Sequence, residues 1–261
     1  MQVDAALVCA LIGVVGGWFV PALIRWVPEP EPVLEPVPDP GSDQVSDPSA
    51  VEAAEVAAAS DPIPPKELYA DMAALPGLAW KCALAAGVIA GIIGLVLGWV
   101  WPVTYLVFLA PVGVALAVVD FRTWLLPTKI IWPAYAVVLL LAAVGSVVTD
   151  GFDDLVRGLI GQAIALVVFF LLWFLPGGGM GFGDVRLSNI LGLALGYLGW
   201  GEWTFGLWIG FLMGALAWVP LRLLRLTTSR HFPFGPFMLL GALVGVIWGD
   251  DVLSHLVDTQ P

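Results

Sequence analysis

Charge is scarce in this sequence. Lys and Arg number 10 and Asp and Glu 21 among 261 residues, 12% in all, where an ordinary soluble domain carries about 25%. That deficit excludes a typical water-soluble globular protein, and cations this few and dispersed make no nucleic-acid-binding patch. Cysteine is nearly absent too. Cys9 and Cys82 lie in or beside apolar runs, far from any Cys-x-x-Cys spacing, so they support neither a disulfide framework nor a zinc knuckle and read as small buried hydrophobes. The sequence has no internal repeat of useful period. The first apolar run is preceded by Met1-Gln2-Val3-Asp4, without the positive n-region of a cleavable signal, and is expected to remain attached.

What is abundant is apolar side chain. Hydrophobic residues make up 60% of the chain, tryptophan occurs 13 times, and the mean hydropathy is +0.95. A spanning helix needs about 20 predominantly apolar residues, and eight such runs are predicted: 5–24, 82–100, 103–119, 130–148, 158–175, 187–200, 203–221 and 232–249. The expected fold is all-α, a polytopic transmembrane helical bundle of about eight spans with one long cytoplasmic loop. Its predicted parts are a first transmembrane helix (1–26), an acidic Pro-rich loop (27–79), a transmembrane catalytic unit (80–250) and a polar C-terminal tail (251–261). The loop holds more than half of the 21 acids, opens Pro28-Glu29-Pro30-Glu31-Pro32 and has an Ala-rich stretch at 51–59. Such a composition favours extended, solvated chain, with a helical turn or two at most.

With the N-terminus outside and eight spans threaded, Arg25, Lys66, Lys81, Arg122, Lys129, Arg186, Arg222, Arg225 and Arg230 fall on one side and Arg157 alone on the other. The positive-inside rule makes the first side cytoplasmic.

Two acids stand apart from the rest. Asp120, in Val119-Asp120-Phe121-Arg122-Thr123-Trp124-Leu125-Leu126-Pro127, and Asp184, in Gly181-Phe182-Gly183-Asp184-Val185-Arg186-Leu187, sit at the edges of apolar runs on the predicted cytoplasmic boundary. Carboxylates near hydrocarbon are costly, so each is a functional-site hypothesis. Two carboxyl groups brought together in a poorly hydrated site share one proton. The ionised member then deprotonates a water molecule as it attacks a peptide carbonyl, and the protonated member donates to the developing oxyanion. Gly181 and Gly183, with Gly177, Gly178 and Gly179 before them, allow substrate backbone to approach closely. Arg122, Lys129 and Arg186 flank the pair and either help hold substrate or anchor the positive face. Pro233, Gly235 and Pro236 open the last run, where freed backbone groups at membrane depth fit the lining of a site. His231 and His255 read as interfacial and tail residues.

These stretches, followed by His231-Phe232-Pro233-Phe234-Gly235-Pro236-Phe237, resemble in order and spacing the type IV prepilin peptidases, which are GxGD-type intramembrane aspartic proteases. The resemblance implies that Asp120 and Asp184 are a catalytic dyad. It further implies that the substrates are prepilins or pseudopilins whose short basic leader is removed at the cytoplasmic face of the inner membrane. Bifunctional members of that family also methylate the new N-terminus with S-adenosylmethionine, and many carry zinc on Cys-x-x-Cys pairs in the first cytoplasmic loop. The 27–79 segment has no cysteine, and Pro21 stands where the family usually has Asn. No zinc or other metal is therefore expected, and S-adenosylmethionine only if methyltransferase activity is present. The oligomeric state is not readable from sequence. A proton-coupled transporter is the competing class, but both acids fall at one face, with no ladder of ionisable residues and no inverted repeat.

Overall fold

A computed structural model describes residues 2–28, 68–175, 180–223 and 233–258 of the chain, the side chains of 218–223 and 256–258 excepted. Among these residues there are ten helices and no strand. They are α1 (Gln2–Trp18), α2 (Val20–Trp26), α3 (Tyr69–Ala73), α4 (Leu78–Leu97), α5 (Val103–Thr123), α6 (Thr128–Val148), α7 (Phe152–Phe174), α8 (Phe182–Leu198), α9 (Trp200–Leu223) and α10 (Gly235–Asp258).

The all-α expectation holds, while the count of about eight spans is not confirmed. Among the described residues, five helices are long and apolar enough to cross a membrane: α4, α5, α6, α7 and the Gly235–His255 part of α10. A sixth span arises if α1 and α2 are taken together, although the chain bends by 41° between them. Pro21 lies in the first turn of α2. Proline tolerates that position because it has no N–H to donate, and it cannot continue the preceding helix. The remaining predicted runs, 187–200 and 203–221, lie in α8 and α9. Among the described residues, neither meets the same standard of length and apolarity.

Apolarity in α8 serves a different purpose. Thirteen of its 17 residues are buried, and it touches α6, α7, α9 and α10, so it is the central post of this half of the bundle. By contrast α7 buries only Gly158, Gly161, Ala165 and Phe169 and leaves Ile160, Ile164, Val167 and Leu171 on the exterior, as a helix against lipid does. Helix pairs approach closely through small residues, the usual means of association where no hydrophobic drive separates protein from lipid. A Cβ on Gly17 of α1 would lie 2.5 Å from the carbonyl oxygen of Cys82 in α4, and one on Gly241 of α10 would overlap the backbone of Gly210 in α9.

Most of the 27–79 loop, including the Ala-rich stretch, lies outside the described residues. Its end does not: α3 packs on α2, with Tyr69 and Met72 joining Ile24 and Val27 in the apolar core.

Candidate active site

Asp120 occupies the last turn of α5 and is 3% exposed. That helix ends because Trp124 adopts the left-handed conformation (φ 53°) while its N–H donates to the carbonyl of Asp120 at 2.9 Å. Left-handed backbone is costly for a residue with a Cβ, by roughly 1–2 kcal/mol. It turns Leu125, Leu126 and Pro127 back across the end of the bundle, and Pro127 in extended conformation then starts α6 at Thr128.

Asp184 lies in the first turn of α8 and is 5% exposed. Its Oδ2 accepts from the N–H of Gly181 at 3.1 Å, three residues back at the N-cap. Asp120 is held in the same manner by a different helix: its Oδ2 accepts from the N–H of Gly235, the first residue of α10, at 3.0 Å. Pro236 follows with no N–H of its own. Each carboxylate therefore sits on a helix N-terminus, where the unpaired N–H groups and the positive end of the helix dipole favour negative charge.

Leu126 joins the two halves. It is buried, and a Cβ on Gly183 would lie 2.7 Å from its Cβ, while a Cβ on Gly235 would lie 3.3 Å from its Cδ atoms and 2.9 Å from Oδ2 of Asp120. At both positions the absence of a side chain is what lets the α8 and α10 termini close around Leu126 and the acids.

Both aspartates line one cavity of about 370 Å³, together with Tyr69, Trp124, Leu125, Leu126, Pro127, Thr128, Gly181, Phe182, Gly183 and Arg186. Arg186 lies over the ring of Phe182, 4.7 Å from its centroid, and donates to Oγ1 of Thr128, which ties the start of α8 to the start of α6.

Of the residues singled out from sequence, Asp120, Asp184, Gly181, Gly183 and Arg186 thus meet at this cavity, and Gly235 meets it through its bond to Asp120. Arg122 and Lys129 are exposed and do not line it. Pro236 instead lines a separate apolar cavity, shared with Phe121 and Leu239, and Pro233 is half-buried at the entry to α10. Gly177, Gly178, Gly179 and His231 lie outside the described residues. Tyr69, Trp124, Leu126 and Thr128 were not anticipated. The last three follow Asp120 directly in sequence, but only the left-handed turn at Trp124 brings them back to it. Among the described residues no group of three or more His, Cys, Asp or Glu could hold a metal ion.

The model of the type IV leader peptidase family matches residues 106–249. Among curated proteins, the chain is 30% identical over 161 residues (61% of this chain, 54% of the relative) to a prepilin leader peptidase/N-methyltransferase of Aeromonas salmonicida. It is 27% identical over 177 residues (66% and 58%) to the protein of that name from Stutzerimonas stutzeri, and 26% over 145 residues (55% and 55%) to that from Bacillus subtilis. The chain spans little more than half the length of these relatives. No solved structure gives a significant match.

Proposed function

From the premise that the chain belongs to the type IV leader peptidase family, we propose that it is a membrane-embedded aspartic endopeptidase that cuts prepilins or pseudopilins after their short basic leader. The observation that carries this reading is the meeting of Asp120 and Asp184 on one cavity, each held on the N-terminus of a helix. A water molecule between the two carboxyl groups loses a proton to the ionised one while its oxygen bonds to the scissile carbonyl carbon. The protonated partner gives its proton to the carbonyl oxygen. Collapse of the tetrahedral intermediate breaks the C–N bond: the amine leaves with the proton first taken from water, and one hydroxyl of the gem-diol returns a proton to the ionised partner as the new carboxyl group forms. The two side chains return to their starting state, with no metal and no covalent intermediate.

A helical substrate would have to unwind at the cut, because its carbonyls are turned into the helix and bonded there. The backbone freedom of Gly181 and Gly183 beside Asp184 suits an extended strand of substrate. Threaded through the eight predicted runs, the cations divide nine against one, which supports an inner-membrane protein with its N-terminus outside and its site at the cytoplasmic face.

The relatives' double name favours a second reading in which the new N-terminus is also methylated, with S-adenosylmethionine as donor and without zinc. Co-expression with a prepilin, followed by mass measurement of its N-terminus, tests both readings. Leader loss abolished by Asp184→Asn in a folded, membrane-inserted protein is the expected result. Retained cleavage by that variant overturns the mechanism, and an added methyl group on the product establishes the second activity.

A further inference from the structure

The cavity that holds the two aspartates is not walled only by the elements that carry them. Tyr69 lies far before the family-matched region in sequence, yet it lines this cavity beside Asp120, Leu126 and Asp184. It is 4% exposed, and its helix α3 is docked rather than loose. Met72, one turn on, is 1% exposed, and both residues belong to the apolar cluster that includes Ile24 and Val27 of the α2 segment. A short helix with little intrinsic stability is thereby fixed in place by buried side chains, and it presents a large, rigid aromatic residue with only two side-chain torsions to the reaction space.

The volume available is about 370 Å³. It must take the attacking water and the peptide on either side of the bond to be cut. The residues that line it therefore bound which side chains fit beside the acids. We propose that Tyr69 is a specificity-determining residue, limiting the size of the substrate side chain accommodated beside the scissile bond. The proposal rests on the peptidase reading above. It assigns to the α3 segment a role that neither the carboxyl groups nor the glycines perform.

The test is a competition assay in detergent between prepilin variants carrying Ala or Trp at each of the two positions flanking the cut, with product ratios read by mass spectrometry. Such ratios report relative kcat/KM directly and are unaffected by how much active enzyme is present. The unaltered protein is expected to favour Ala at one of the two positions. Tyr69→Phe keeps that ratio, because the ring remains. Tyr69→Ala shifts it towards Trp by about tenfold or more, the scale on which pockets discriminate by size, and Tyr69→Leu, which keeps more of the α3 packing, shifts it in the same direction by less.

An unchanged ratio in both Tyr69→Ala and Tyr69→Leu overturns the proposal. So does an equal loss of cleavage for every substrate in variants that remain folded, since that would mark a structural role. Absence of cleavage by the unaltered protein would instead strike the peptidase reading itself.

Discussion

The N–H of Gly235 donates to Oδ2 of Asp120 at 3.0 Å, joining residues 115 apart in sequence. One link of the motif at the head of α10 thus acts as the clamp on a carboxylate carried by α5. The glycine at that place has a steric cause, since a Cβ there would sit 2.9 Å from the same oxygen. Its φ is not in the left-handed region, so alanine introduces crowding without backbone strain. Gly235→Ala should therefore fold and insert but push the carboxyl group off its position, lowering cleavage by about 100-fold, the scale of a 1 Å misplacement. Gly113→Ala is the control: its Cβ meets only the far end of the Leu239 side chain, at 3.3 Å, and activity should stay near that of the unaltered protein. Leader cleavage per folded protein measures both.

If Asp120 and Asp184 share one proton, as proposed, activity depends on pH in a definite way. With both carboxyl groups protonated there is no base for water, and with both ionised there is no acid for the carbonyl oxygen. Cleavage should rise with pH as the pair loses its first proton and fall as it loses the second, giving a bell whose two limbs belong to the pair and not to either residue. A rate that climbs monotonically across the stable pH range would contradict this. The measurement is initial cleavage rate in detergent, with stability checked at each pH.

Arg157, near the start of α7, has a structural use at the end of α8 away from Asp184. Its Nε donates to the carbonyl of Gly196 at 2.9 Å, and its Nη2 donates to those of Tyr197 (2.6 Å) and Leu198 (2.9 Å), so one guanidinium caps the C-terminus of the buried α8. It also pairs with Asp154 at 2.9 Å. Cations at a helix C-terminus contribute up to about 2 kcal/mol in partly buried geometry. Arg157→Leu should lower unfolding stability in detergent by about that much and leave cleavage below the transition unchanged. Arg157→Lys should recover only part, because an ammonium cannot reproduce the planar fork.

Much of this site was legible because its chemistry is costly where it stands. Asp120 and Asp184 are marked by apolar surroundings, and Gly183 and Gly235 by being glycine beside them. Tyr69 carried no such mark. It follows an acidic, proline-rich segment whose composition reads as solvated, and its burial depends on Ile24 and Val27 across the loop. The place of α8 was hidden for the opposite reason. A helix apolar all round looks the same in sequence whether lipid or protein covers it, so the near-complete burial of α8 could not be read from its run. The left-handed turn at Trp124 was also unreadable, since tryptophan has no preference for that conformation.

Within the bundle, Nε2 of Gln162 on α7 donates to the Tyr135 hydroxyl of α6 and to Oδ1 of Asn189 on α8, both at 2.9 Å, while its own Oε1 is buried without a protein partner. Hydrogen bonds between spanning helices average about 0.6 kcal/mol and reach about 1.7. Gln162→Leu removes the donor and leaves Asn189, 9% exposed, with an unsatisfied oxygen, so it should destabilise by an amount in that range. Gln162→Leu combined with Asn189→Leu removes both sides of the bond. Because an orphaned polar group costs more than a pair replaced by apolar groups, the double variant should be more stable than the sum of the two single losses implies. Denaturation midpoints in detergent for the four proteins of this cycle measure the coupling, and strict additivity would show that the bond does not tie α8 to α7.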